Sequence, residues 1–207
     1  MKKSKFVIGK KIGMTQYIHD SGVVYPATII KLIDTKVIDF KVPEKHGYKA
    51  VVCGYGYVKE SKLNKSLLSF FTSKNTSPFR YLIECKFKET IEHEVNQTLD
   101  FSQFKIDEKV SVRSTSKGFG FSGTIKRHGF ARGPMSHGSK NHRLPGSIGA
   151  GTDPARVFKG TRMSGQMGNV KVTIKKLGVL FIDLDQGLLF LKGSVPGKNN
   201  NFVEIYN

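Results

Sequence analysis

Residues 169–195 read "NVKVTIKKLGVLFIDLDQGLLFLKGSV". Two runs rich in Val, Ile, Leu and Phe flank "DLDQG" at 183–187, a turn signal, so the segment reads as strand, turn, strand. This hairpin decides the fold because of what precedes it. Between about 117 and 168 the chain holds twelve glycines and nine Lys/Arg and shows no core-forming period. Composition that poor in core residues, taken alone, is that of a disordered linker. Resumption of strands at 169 makes the glycine-rich stretch an excursion instead, one that leaves a β body and comes back to it.

The strands on the near side are equally legible. "FVIGKKIGMTQYI" at 6–18 and "VVYPATIIKLI" at 23–33 are β-branched and aromatic, with "HDSG" between them as a turn. "KVIDFKV" at 36–42 and "YKAVVCGYGYV" at 48–58 continue the pattern, with Gly54 and Gly56 suggesting a bulge or a bend at a barrel corner. "FRYLIECKF" at 79–87, "EKVSVRSTS" at 108–116 and "FVEIY" at 202–206 read as further strands. Leu63, Leu67, Leu68, Phe70 and Phe71 share one face of a helix predicted over 62–72, with Ser61 as its N-cap. A second short helix is expected around "SGTIKRHGF" at 122–130. The simplest architecture is a mainly β fold: a mostly antiparallel barrel built from 1–116 and 169–207, with 117–168 as a basic extension. An extended out-and-back excursion of that length reaches at most about 85 Å.

Charge has the same address. The formal net charge over 207 residues is +18, where a soluble domain usually stays within about 2–8 charges of zero. Residues 117–176 hold twelve Lys/Arg against a single acid, Asp153. These cations are interleaved with Gly and Pro rather than with Glu and Asp, so internal salt-bridge lacing is unavailable to them. Glycine lets backbone approach a ligand closely, and Lys/Arg neutralise phosphates with release of counterions. Phe119, Phe121, Phe130 and Phe158 supply rings that stack on bases or anchor the root of the segment. A polyanion, nucleic acid before membrane, is the partner this pattern fits. No apolar run approaches the roughly 20 residues of a bilayer span, and no apolar signal region follows the basic "MKKSKFVIGKK" start. Cys53 and Cys85 sit in no paired motif and read as reduced, half-buried thiols.

Other chemistries find little support. "GFGFSG" at 118–123 matches the dinucleotide fingerprint, but five glycines between 123 and 151 preclude the crossover helix that the fingerprint needs. His128, His137 and His142 fall close together without the cysteine or carboxylate partners of a zinc site, so no metal is assigned. Ser136 precedes His137, but adjacency in sequence is not a nucleophile–base geometry. No catalytic residue is assigned.

Five motifs occur in order: "GKKIGMTQ" at 9–16, "TSKGFGFSGTIKRHGF" at 115–130, "SHGSKNHRLPGSIG" at 136–149, "RVFKGTRMSGQMGN" at 156–169 and "LLFLKGSVPG" at 188–197. In this order they resemble the bacterial and organellar type of the ribosomal protein L-three family, the third protein of the large ribosomal subunit, essentially end to end. The resemblance implies a translation-protein-type antiparallel β-barrel with a small α+β insertion at about 55–100 and an extension threaded into rRNA. It implies a structural, non-enzymatic role: binding of large-subunit rRNA, support of early subunit assembly, and an extension tip that approaches the peptidyl transferase region. Neighbouring large-subunit proteins are the other implied partners. Neither a small-molecule substrate nor a cofactor is expected beyond magnesium ions that accompany rRNA.

By motif, the RNA-facing positions are Lys117, Lys126, Arg127, His128, Ser136, His137, Lys140, His142, Arg143, Arg156, Lys159 and Arg162, with Arg132 counted alongside them. Two departures and one further acid stand out. Thr152 occupies the position, two before Pro154, where many bacterial relatives carry a glutamine that can be methylated, so no such modification is expected. Phe119 stands where relatives commonly carry a basic residue, and Asp153 puts an acid near the tip, to pair with Arg156 or a metal ion. The expected location is a bacterial ribosome in the cytoplasm, or an organelle matrix or stroma.

Overall fold

The computed structural model describes residues 5–86 and 94–207. Phe87, the end of the strand read at 79–87, lies outside the described residues. Two compact units divide the chain: Met1–Thr115 with Lys171–Asn207, and Ser116–Val170.

In the first unit the strands are β1 (Phe6–Ile18), β2 (Val24–Leu32), β3 (Thr35–Lys41), β4 (Ala50–Tyr57), β5 (Phe79–Cys85), β6 (Thr98–Leu99) and β7 (Lys109–Thr115). The second unit holds β8 (Gly120–Ser122) and β9 (Gly165–Met167), and the first resumes with β10 (Lys171–Asp183), β11 (Leu188–Lys192) and β12 (Phe202–Tyr206). Among the described residues three short α-helices accompany them: α1 (Pro43–His46), α2 (Lys65–Ser73) and α3 (Thr124–His128).

The protein is mainly β, and its body is a closed barrel in the order β1-β12-β7-β10-β11-β2. Every neighbouring pair is antiparallel, and closure leaves the ring without edge strands. Bulges at Lys11/Gly13, Ile174/Leu177 and Val179/Phe181 add the local bend that closure of a small ring demands. Alternation sets the inner face of β7, where Val110, Val112 and Ser114 are buried and their neighbours are not. Val7, Ile30, Val179, Leu189, Leu191, Val203 and Ile205 complete a core from both sides of the excursion. Gly9 is required by packing: a Cβ there would sit 2.2 Å from Ile30 Cγ2.

Lys11 is buried, and its ammonium donates to the carbonyls of Val195 (2.7 Å) and Gly197 (3.2 Å). Without such acceptors a buried cation is strongly destabilising. The same loop also fixes the end of β7. Asn201 Nδ2 donates to Ser114 Oγ (3.2 Å) and to the Thr115 carbonyl (3.0 Å), and Ser114 Oγ donates to the Phe202 carbonyl (2.7 Å).

A second, four-stranded sheet runs β5-β4-β3-β6. Together with α2 it forms the α+β part, which starts at Thr35, earlier than the 55 expected. Nothing in the sequence marks that boundary, since β2 and β3 are similarly apolar and separated only by Ile33 and Asp34. Gly54 lies in this sheet rather than at a barrel corner, and its reason is close packing: a Cβ would meet Ile38 Cδ1 at 2.4 Å and Phe79 Cδ2 at 2.7 Å. The sheet's bulge lies on β3, at Val37/Asp39.

The N-cap of α2 is Asn64, not Ser61, because Glu60–Lys62 is spent on a separate 3-10 turn. Of its apolar face only Phe71 is buried, packed with Ile38 and Phe79. Cys53 and Cys85 form no disulfide and are wholly rather than half buried, within the continuous core that joins this sheet to the barrel.

Candidate nucleic-acid interface

The excursion starts and ends on one cross-strand pair. Thr115 of β7 is the register partner of Lys171 of β10. Within the second unit, Ser116 N–H donates to the Val170 carbonyl (2.9 Å), and Val170 N–H donates to Ser116 Oγ (3.3 Å). Gly168 and Lys117 are in backbone contact, where a Cβ on Gly168 would fall 1.9 Å from the Lys117 carbonyl oxygen. Gly168 also has φ +71°, the left-handed region that glycine enters without strain. The two chain directions pair once more as β8 and β9, in register Gly120–Met167, Phe121–Gln166 and Ser122–Gly165. These three-residue strands escape sequence reading because glycine supplies the pairing backbone but no apolar alternation.

Beyond β8 the chain turns through Gly123 into α3, which Gly129 ends in the left-handed conformation (φ 72°). The glycine motif at 118–123 therefore leads into a five-residue helix and not into a crossover helix. The basic last turn of α3 holds Lys126, Arg127 and His128 at the end where helix carbonyls favour cations. Arg127 Nη1 donates to the Met163 carbonyl (2.7 Å), and His128 Nε2 lies 3.0 Å from the same oxygen. One carbonyl of the returning chain thus holds two of the thirteen expected RNA-facing side chains. Gly165 passes directly against Arg127, where a Cβ would lie 2.8 Å from Nη1. Met163 enters through its carbonyl, a role that no side-chain pattern announces.

Past Phe130 the backbone has little regular structure and few cross-chain ties. Gly133 N–H donates to the His142 carbonyl (3.1 Å), and His142 Nδ1 lies 2.8 Å from the Pro134 carbonyl. This small loop presents Ser136, His137 and Lys140 to solvent. His137 and Gly138 are consecutive left-handed residues, φ 58° and 73°. A further turn is closed by Ala155 N–H donating to the Gly151 carbonyl (3.1 Å), and it carries Thr152 and Asp153 exposed.

Of the thirteen expected positions, Lys117, Lys126, Arg127, Arg132, Ser136, His137, Lys140, Arg143, Arg156, Lys159 and Arg162 are exposed, while His128 and His142 are half-buried. Among the described residues no Lys or Arg of 116–170 has a carboxylate partner, and Asp153 makes no ion pair. The unit therefore shows solvent a set of cations that no carboxylate within it pairs. Rings lie among them: Lys126 Nζ sits 4.9 Å from the Phe119 centroid and the Arg156 guanidinium 5.9 Å from that of Phe158. Phe119, Phe121 and Phe158 are exposed, and Phe130 is half-buried beside His128. A surface of cations without carboxylate partners, exposed rings and glycine backbone is equipped to neutralise phosphates and to stack on bases. No group of three or more His, Cys, Asp or Glu among the described residues is placed to hold a metal ion. No helix among them is long and apolar enough to cross a membrane.

Comparison with known proteins bears on the same segment. The family model described as Ribosomal protein L3 matches residues 83–187. The chain is 46% identical to large ribosomal subunit protein uL3c of Gracilaria tenuistipitata var. liui, over 97% of this chain and 98% of that protein. It is 46% identical to large ribosomal subunit protein uL3 of Pelotomaculum thermopropionicum, over 97% and 95% of the two chains. Against uL3 of Synechococcus elongatus the identity is 45%, over 96% and 93%.

Proposed function

The chain belongs to the ribosomal protein L3 family, and from that premise we propose that it is a structural, non-catalytic constituent of the large ribosomal subunit that binds large-subunit rRNA. The barrel serves as the mount. Residues 116–170 serve as an arm that enters rRNA, neutralises crossing phosphate backbones and reaches toward the peptidyl transferase region. Support of early subunit assembly follows from such a role, since an arm of this kind stabilises a particular juxtaposition of RNA segments. Magnesium ions accompany the RNA, and neighbouring large-subunit proteins meet the remaining surface. The ribosome concerned is a bacterial one in the cytoplasm or an organellar one.

The observation that carries this reading is the unpaired charge of the arm. Its Lys and Arg side chains are exposed without a carboxylate partner among the described residues, an arrangement that repels itself until a polyanion arrives. The test is binding of large-subunit rRNA at increasing salt. Contact of about six basic groups with phosphates gives a slope of log K against log salt of about −4 to −5. A flat response would overturn the electrostatic reading.

A further inference from the structure

We propose that the cavity beside β8 is a seat for one RNA base turned out of its stack, with the adjoining phosphate held by Lys126 and Arg143. The proposal rests on the reading of 116–170 as an RNA-binding arm and adds a defined subsite to it. The cavity measures about 260 Å³ and is lined by Phe119, Phe121, Gly123, Ile125, Lys126 and Arg143, together with Ser122.

Its wall is built at the start of β8: Phe119 and Phe121 flank Gly120, whose left-handed φ of 69° turns the chain between them, and Ser122 beside them is buried. Gly123 then turns the chain into α3, which brings Ile125 and Lys126 to the same place. A Cβ on Gly123 would meet nothing within 4 Å, so the glycine leaves this corner open. Arg143 arrives from a distant part of the arm.

Three features select the occupant. Phe121 is 79% exposed and Phe119 51%, the latter with Lys126 Nζ 4.9 Å from its centroid, so both rings reach solvent at a place where a folded chain normally hides them. No carboxylate lines the cavity, and two cations do. The volume lies below the roughly 300–1,000 Å³ of drug-sized ligand sites, which suits a single planar group. An apolar peptide would cover the rings but strip water from Lys126 and Arg143 without returning a counter-charge. An unstacked nucleotide supplies a π-face for the phenyl rings and a phosphate for the cations in one unit.

The test uses the full chain and a large-subunit rRNA transcript, with Phe119→Ala, Phe121→Ala and Phe121→Tyr, circular dichroism confirming that each variant folds. Loss of a stacked base weakens binding by about 5- to 150-fold while leaving the salt slope unchanged, because stacking releases no counterions. Phe121→Tyr keeps the ring and binds as the parent does. Lys126→Ala instead lowers the slope by about 0.7–0.9. Ultraviolet crosslinking of assembled subunits should join 119–121 to one nucleotide. A steep salt slope that neither Phe→Ala change accompanies with lost affinity overturns the seat and leaves the arm intact. Absence of salt-dependent binding by the parent protein overturns the arm itself. A crosslink to a neighbouring protein overturns the base as occupant.

Discussion

Glu108 shows how much one side chain ties together. Lys5 Nζ donates to both of its oxygens (2.9 and 2.8 Å), Asn207 Nδ2 to Oε1 (2.6 Å) and the Lys105 backbone N–H to Oε2 (3.0 Å). Burial raises its pKa, but the hydrogen bonds from Lys5, Lys105 and Asn207 together outweigh that and leave it below the ordinary carboxylate value of 4.5. A carboxylate depressed by folding contributes stability in full above its ordinary value, and that contribution is lost as pH falls through the lower folded value. Glu108→Gln is expected to cost about 1–2 kcal/mol at pH 7, and the gap to the parent should close in acid, below pH 4.5. Urea unfolding of both proteins across that range measures it. Gly168 is the corresponding residue of the arm. Ala there meets the Lys117 carbonyl and adopts a left-handed φ, at a cost of at least about 1–2 kcal/mol. Gly168→Ala should speed proteolysis of 116–170 several-fold while the thermal unfolding of the barrel stays put.

At the scale of elements, most strands were written in the side chains and their partners were not. The apolar run at 6–18 coincides with β1, and "FVEIY" with β12. Yet that β12 lies between β1 and β7 follows from no local pattern, since pairing across the chain depends on which hydrophobic faces meet. The separate sheet was hidden for the same reason. In the arm, the cations were legible because charge is a property of composition. The bracing of Arg127 and His128 against Met163 was not, because its acceptor is a backbone carbonyl. The element between α3 and β9 has few backbone ties and wide exposure, and such segments are where proteases cut first. Limited digestion of the RNA-free protein should therefore nick within 128–160 before any barrel strand. Protection of that stretch without RNA would contradict its reading as an arm ordered by its partner.

The whole molecule divides its tasks between the two units. The barrel's core draws on residues from before and after the excursion and on none within it. Thr115 and Lys171, where the arm departs and returns, are already register partners. Replacing 117–169 by a short glycine-containing turn should therefore leave a folded barrel with near-parental thermal stability. The same variant should lose the salt-dependent part of rRNA binding. Unfolding of that variant would mean that the arm supports the barrel and not the reverse.

The strand order has a consequence in time. β12 fills the gap between β1 and β7, and the chain reaches it only after the arm has been made. At roughly 5–20 residues per second, synthesis from Val170 to Phe202 occupies a few seconds. At the start of that interval the ring lacks β10, β11 and β12, and β12, which joins β1 to β7, is the last to arrive, so β1 and β7 present open edges throughout. A nascent chain emerging from its tunnel thus offers the basic arm to RNA before the barrel can shut behind it.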